Sequence, residues 1–174
     1  LQGYQFDKIF PGCRIIDIHE FLLEKGIPLP NAGGFLFHDP CHSPMKQQDP
    51  MKTVKALLGD GVIKSERCCG EAGTLAVSRP DISTQIRFRK EEEIRKGEAA
   101  LREQGLIGAK DNAKILTSCP ACLQGLSRYV DDAQTGLLEA DYVVIEMAKQ
   151  ILGENWMPEY VAKANNGGIE RVLV

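Results

Sequence analysis

Ala113-Lys114-Ile115-Leu116-Thr117-Ser118-Cys119-Pro120-Ala121-Cys122 is the stretch on which the fold reading turns. A short apolar run bounded by turn signals predicts a buried strand over 113–117. Ser118-Cys119-Pro120 ends it. Pro120 suits the first turn of a helix over 120–129, because its missing N–H would be unpaired there anyway. A C-x-x-C therefore sits where a strand hands over to a helix. The same grammar recurs upstream. Gly33-Gly34 precedes Phe35-Leu36-Phe37-His38, a second buried strand broken by Asp39-Pro40-Cys41, and Gly61-Val62-Ile63-Lys64 predicts a third, followed by Cys68-Cys69.

Helical patterns lie between these strands. Residues 15–25 carry Ile15, Ile16, Ile18, Phe21, Leu22 and Leu23 at helical spacing, ending at Lys25-Gly26, and residues 50–58 predict a short helix stopped by Gly59. The longest pattern covers 81–104, with Asp81 as a cap after Pro80 and Gly97 as an interruption. From Arg87 to Glu103 it is dense in opposite charges three and four apart, such as Glu92 and Lys96, which suits a solvated face. Tyr142-Val143-Val144-Ile145 predicts a strand, Met147–Leu152 the helix after it, Asn165-Asn166-Gly167-Gly168 a turn, and Ile169–Val174 a last strand. Strands alternating with helices imply an α/β class with a mainly parallel sheet flanked by helices. In such sheets the loops leaving the carboxyl ends of strands build the site. Cys41 and Cys119 fall there directly, and Cys68-Cys69 a few residues later, so three distant segments are expected to meet at one sheet edge.

The chain's 174 residues are read as a single domain, 1–174, with its core over about 15–152. A net charge of −3 leaves no basic footprint for nucleic acid. No apolar run reaches the roughly 18 residues needed to span a membrane. Leu1-Gln2-Gly3-Tyr4 shows no signal-peptide pattern and no initiator Met, which is read as a piece of a longer chain. The six cysteines are too sparse and too clustered for a disulfide framework, and a reducing, cytoplasmic context follows.

Five of the six, Cys41, Cys68, Cys69, Cys119 and Cys122, form a one–two–two pattern. The C-x-x-C lets two thiolates bind one metal or neighbouring irons. Adjacent Cys68 and Cys69 point in different directions and reach two irons more easily than one ion. Gly70 and Gly73 allow a tight backbone whose N–H groups can reach sulfur. A structural zinc wants four ligands and five cysteines exceed it, so the count leans to iron–sulfur, with zinc plus one bystander still open. Cys13 is read as a small buried apolar bystander. His42 is a candidate to hydrogen-bond or ligate, His38 a core or rim residue, His19 structural, Asp39 a turn or cap, and Glu71 a surface carboxylate before a proton relay. No phosphate-binding loop, dinucleotide fingerprint or serine nucleophile elbow is present. A thioredoxin-type motif leaves the vicinal pair unexplained.

Phe37-His38-Asp39-Pro40-Cys41-His42, Cys68-Cys69-Gly70-Glu71-Ala72-Gly73 and Thr117-Ser118-Cys119-Pro120-Ala121-Cys122 resemble the cysteine-rich CCG domain. That domain occurs in the B subunit of heterodisulfide reductase and in the iron–sulfur subunits of glycolate oxidase, lactate-utilisation proteins and anaerobic glycerol-3-phosphate dehydrogenase. The resemblance covers about Ile15 to Leu152. It implies a Rossmann-like fold, and a 4Fe–4S cluster of unusual shape, or zinc, held by Cys41, Cys68, Cys69, Cys119 and Cys122. The stretch from Cys69 to Cys119 is longer than the family pattern and that from Cys41 to Cys68 shorter, the extra length falling in the charged helix. Ile15-Ile16-Asp17-Ile18-His19-Glu20 further resembles the C-terminal part of long bacterial FAD-linked oxidoreductases.

The resemblance implies an electron-transfer module of an FAD-linked oxidoreductase of 2-hydroxy acids such as lactate or glycolate. The FAD would lie elsewhere in the parent protein, on a flavin dehydrogenase domain or subunit, and the electrons would pass on to a quinone or a thiol/disulfide acceptor. The implied location is cytoplasmic, with peripheral attachment at the inner membrane through partners. Two alternatives stand beside it: a zinc-bound or metal-free scaffold docking on a flavoprotein, and direct thiol–disulfide chemistry.

Overall fold

A computed structural model describes residues 6–27, 33–71, 73–131 and 136–168. In chain order the elements are α1 (Phe6–Ile9), α2 (Ile18–Glu24), β1 (Phe35–His38), α3 (Pro50–Leu58), β2 (Val62–Lys64), α4 (Leu75–Ser78), α5 (Pro80–Glu103), β3 (Lys114–Thr117), α6 (Pro120–Leu126), β4 (Glu139–Tyr142), α7 (Val143–Leu152) and α8 (Trp156–Lys163). A π-helical turn, Ala164–Gly168, follows where the sequence predicts a turn. The expected strand over Ile169–Val174 lies outside the described residues.

The four strands form one all-parallel sheet in the order β2-β1-β3-β4. Because β1 connects to β2 on one side while β3 lies on its other side, the winding reverses between β1 and β3. Ligand crevices of open parallel sheets form at the carboxyl ends beside such a reversal. The last residues of the two strands, His38 and Thr117, are register partners there.

Side chains alternate across a strand, so each face has its own core. Phe35 and Phe37 of β1 and Leu116 of β3 pack with Val54, Leu57 and Leu58 of α3 and with Val143 and Met147 of α7. Leu36 and Ile115 face the other way, onto Ile94 and Leu101 of α5, Leu126 of α6, and Tyr129. By the same alternation His38 and Thr117 belong to the α5/α6 face. Cys69 and Cys122 are part of the core on that face.

Local chemistry sets the element ends. Asp17 caps α2, its carboxylate accepting from His19 N at 2.9 Å, and Asp49 caps α3 by accepting from Lys52 N at 2.8 Å. The helix of the first apolar pattern therefore begins at Ile18, three residues after the predicted start. Helix α5 starts at Pro80, with Asp81 pairing to Arg79 instead of capping. Gly97 does not interrupt it. A Cβ there would stand 2.6 Å from Leu36 Cδ2, so the missing side chain lets α5 lie against β1. The exposed face of α5 carries ion pairs Arg95–Glu91 and Lys96–Glu93. Ser83, Lys90, Ile94, Gly97, Glu98 and Leu101 form its buried stripe.

The strand predicted over 142–145 is not there. Strand β4 ends at Tyr142, and Val143-Val144-Ile145 is the first turn of α7. The β-branched run favours strand locally, but Val143 and Met147, one helical turn apart, are both buried against the sheet, and that packing decides the conformation. The true strand, Glu139-Ala140-Asp141-Tyr142, lacks an apolar pattern because it is an edge strand. Its Glu139, with Glu146 of α7, binds Lys114 of β3, each at 2.8 Å. Helix α8 has no counterpart in the sequence prediction.

Candidate metal centre

Each motif delivers its cysteines from the carboxyl end of a strand. Asp39-Pro40 turns the chain out of β1 and leaves Cys41 exposed. Cys119 is the extended N-cap residue of α6, with Pro120 in its first turn, and Cys122 is buried one turn later. The loop after β2 reaches the same place through left-handed backbone at Arg67, Gly70 and Gly73, with φ of 71°, 84° and 54°. It sets Cys68 half-buried and Cys69 buried.

The CCG loop is fastened to α6 and the residues after it. Tyr129 Oη donates to Cys69 O at 3.2 Å, and Arg128 pairs with Glu71 at 2.8 Å. The carboxylate of Glu71 thus anchors the loop. A Cβ on Gly125 would lie 3.0 Å from Cys69 O and 2.9 Å from Glu71 Cβ, so glycine is required for the loop to rest on the helix. Gly125 lies three residues after Cys122 and shares its helix face. The contact therefore brings Cys69 to Cys122. Neither Gly125 nor Tyr129 is visible as a site residue from motif reading; their signal is only a glycine and an aromatic residue at helical spacing after the C-x-x-C.

The vicinal cysteines face different partners. The Cys122 thiol beside it, then His38 and the Glu71 backbone, hold Cys69 well below the ordinary thiol range against the opposing effect of burial. The neighbouring Cys69 sulfur, and then burial, push Cys122 far up. Cys119 adds to the rise from the other side. Burial, first of all, raises Cys68; Gly70 N–H, 3.5 Å from its sulfur, opposes this, and Cys41 is its nearby thiol partner. Electrostatics thus couple Cys68 to Cys41 and Cys69, and Cys122 to Cys69 and Cys119. Cys13 is not in this group, and it is exposed, where a buried position is expected for a bystander. The reason is its place in a surface turn, Cys13 N to Phe10 O at 3.2 Å, with Phe10 itself on the outside.

A ring nitrogen of His38 and the sulfurs of Cys69 and Cys122 all lie within 4.8 Å of one another, and all three residues are buried. His38 is thus a core residue, as expected, and lies beside the buried cysteines, whereas His42 is exposed and His19 is a buried partner of Asp17 at 2.7 Å. Behind His38 stands Lys90 of α5, fully buried. Its Nζ lies 2.9 Å from Ser65 O, 2.9 Å from Ser65 Oγ, 2.8 Å from Glu66 O and 3.2 Å from His38 Nδ1. Burial pulls Lys90 down to about 8, and the charge of Cys69 is the first to oppose it. Lys90 is missed by sequence reading because a lysine in a charged helix looks solvated. The clue is its place on the stripe Ser83, Lys90, Ile94, Gly97 and Leu101.

The donor set fits a sulfur-rich group. Buried polar atoms are nearly always hydrogen-bonded, yet His38 Nε2, Thr117 Oγ1 and Ser118 Oγ have no partner among the described residues. All three belong to the carboxyl ends of β1 and β3. Each can supply a donor to thiolate or inorganic sulfide, as iron–sulfur sites use.

The cysteine-rich domain model, CCG, matches residues 35–127, a span that holds all five clustered cysteines. The chain belongs to the CCG cysteine-rich domain family. A second family model, described as a domain of unknown function (DUF3400), matches residues 127–174. The CCG chain is 27% identical over 127 residues to the D subunit of dihydromethanophenazine:CoB–CoM heterodisulfide reductase from Methanosarcina barkeri, covering 67% of this chain and 27% of that relative. It is 30% identical over 118 residues to the B subunit of the CoM/CoB fumarate reductase of Methanothermobacter marburgensis, covering 63% and 22%. An uncharacterised iron–sulfur protein of Methanococcus maripaludis is 27% identical over 119 residues, covering 63% and 21%. The chain thus spans about a quarter of the length of these curated relatives. No solved structure matches it. Among the described residues of this CCG domain no helix is long and apolar enough to cross a membrane.

Proposed function

We propose that this CCG domain is an iron–sulfur electron-transfer module of an oxidoreductase, with Cys41, Cys68, Cys69, Cys119 and Cys122 as ligands to a 4Fe–4S cluster. The observation that carries the reading is the divergence of the vicinal pair: the Cys69 sulfur gathers within 4.8 Å of Cys122 and His38, a group that leaves out the adjacent Cys68, whose sulfur lies 3.5 Å from Gly70 N. Adjacent thiolates that look toward different neighbours serve a multinuclear group better than a single ion. When bound, such a cluster supplies one-electron transfer. The chain's own part is to gather thiolates at the sheet edge, hold the CCG loop through Tyr129 and Arg128, and bury Cys69 and Cys122 away from water. The names of the relatives, two reductase subunits and an iron–sulfur protein, support the same class.

The test is strictly anaerobic purification or reconstitution of the chain, with iron, sulfide and zinc analysis. Iron and acid-labile sulfide together are expected. Stoichiometric zinc without iron or sulfide overturns the reading. Zinc is the second reading because the Cys69, Cys122 and His38 donors, within 4.8 Å of one another, lie within reach of one ion.

For the parent protein the proposal is an FAD-linked oxidoreductase of a 2-hydroxy acid of the lactate or glycolate type. Its flavin would sit on another domain or subunit, and its electrons would leave to a quinone or a thiol/disulfide acceptor. The resemblance of Ile15–Glu20 to long FAD-linked oxidoreductases supports it. Purifying the full gene product checks it: bound FAD and substrate-dependent bleaching of iron–sulfur absorbance by lactate or glycolate are expected, and absence of flavin refutes it.

A further inference from the structure

Lys90 is an ammonium sealed behind the cysteine site. Its Nζ lies 2.8 to 2.9 Å from Ser65 O, Ser65 Oγ and Glu66 O, and 3.2 Å from His38 Nδ1. No carboxylate lies within salt-bridge distance of it among the described residues, although a buried cation ordinarily needs one. An ammonium has three donors and no lone pair. The three short contacts match its three N–H groups, and an N–H on His38 Nδ1 would face the ammonium donor to donor at 3.2 Å, so the favourable arrangement turns the Nδ1 lone pair toward Lys90. That contact disfavours the Nδ1–H tautomer. Neutral imidazole has one N–H, so it sits on Nε2, the nitrogen that is buried without a partner.

We propose that Lys90 locks His38 as the Nε2–H tautomer, so that His38 serves the cysteine site as a hydrogen-bond donor to sulfur and not as a metal ligand. The sulfurs of Cys69 and Cys122 are the acceptors in reach, since a ring nitrogen of His38 lies within 4.8 Å of both. A metal-binding imidazole needs a free lone pair, and here that lone pair is engaged by Lys90. Lys90 and His38 are positioning residues: they orient an N–H, and Lys90 brings a positive charge behind it. Negative charge gathered on the thiolates supplies the counter-charge that the lysine's own contacts lack. The sulfur acceptor rests on the iron–sulfur reading only when inorganic sulfide is included; the tautomer does not depend on it.

The test uses the 174-residue chain labelled with ¹⁵N-histidine, whose three histidines give a simple spectrum. In the metal-free protein, long-range proton–nitrogen NMR is expected to show His38 protonated at Nε2 and bare at Nδ1. Lys90→Met should abolish that preference. A wild-type His38 protonated at Nδ1 overturns the proposal without any variant having to fold. After anaerobic reconstitution, pulsed EPR should show only weak coupling to His38 nitrogen, and His38→Leu should keep its iron while its midpoint potential falls. His38→Gln, which retains an N–H, should restore the potential in part. A directly bonded nitrogen coupling, or loss of iron in His38→Leu matching that of Cys69→Ser, overturns it. Failure to bind iron at all would count against the iron–sulfur reading alone, because the NMR result stands without metal.

Discussion

A Cβ on Gly125 would stand 3.0 Å from the carbonyl oxygen of Cys69. The obstacle is backbone, which cannot rotate away as a side-chain tip can. Gly125→Ala is therefore expected to push the CCG loop off α6 and separate Cys69 from Cys122. Overpacking of this kind costs about 1–3 kcal/mol. The expected outcome is a folded protein of reduced stability whose iron content after reconstitution falls toward that of Cys122→Ser. Unchanged iron content would show that the loop does not need this contact.

The burial gradient across the cysteines predicts an order of alkylation. In the metal-free chain the exposed Cys13 and Cys41 should react first, Cys68 and Cys119 more slowly, and buried Cys122 last, since the neighbouring Cys69 sulfur and burial keep it a thiol. After anaerobic iron and sulfide loading, Cys41 should become protected while Cys13 stays reactive. Mass mapping of labelled peptides reads this directly, and a Cys13 that is also protected would contradict its place outside the group.

Gly97 offers a test of the helix–sheet contact. Replacing glycine by alanine inside a helix ordinarily gains about 1 kcal/mol. Here the new methyl would meet Leu36 Cδ2 at 2.6 Å, and Leu36 is fully buried. The overpacking cost of about 1–3 kcal/mol should win. Gly97→Ala is expected to lower the urea midpoint by the equivalent of about 1 kcal/mol, against the sign that propensity alone predicts.

Asp17 predicts a pH dependence. Burial would raise its carboxyl, but hydrogen bonds from the His19 ring and from the His19 and Glu20 backbone outweigh this and hold it below the ordinary carboxylate value. A depressed carboxyl contributes stability that is present above the unfolded pKa and is lost as pH falls through the folded one. Asp17→Ala should therefore cost about 1 kcal/mol near neutral pH through loss of the cap. The gap between wild type and variant should close as the pH is lowered through the folded pKa of Asp17. Denaturant titrations at both ends of that range measure it, and a constant gap would show that the cap acts without its charge.

Much of the architecture is legible in the chain. The apolar runs 35–38 and 113–117, bounded by turn residues before and by proline after, place β1 and β3 almost to the residue, and they place Cys41 and Cys119 at the ends of those strands. The misreading at 142–145 is instructive. Val143-Val144-Ile145 has the composition of a strand, but an edge strand made of Glu139, Ala140 and Asp141 takes the sheet position because its carboxylates meet Lys114. Propensity ranks local conformations, and packing chooses among them.

By itself, the sequence determined the α/β alternation and the grouping of five cysteines apart from Cys13. Both are written in spacing and in the backbone limits of Pro and Gly. Only the tertiary structure decided which residues stand behind those cysteines. His38 joins the site because alternation along β1 turns it onto the α5/α6 face. Lys90 reaches it because Gly97 lets α5 lie close against that face. Gly125 opens the space in which Cys69 meets Cys122. Beyond the alternation along β1, these relations depend on contacts between segments far apart in the chain, which no local propensity encodes.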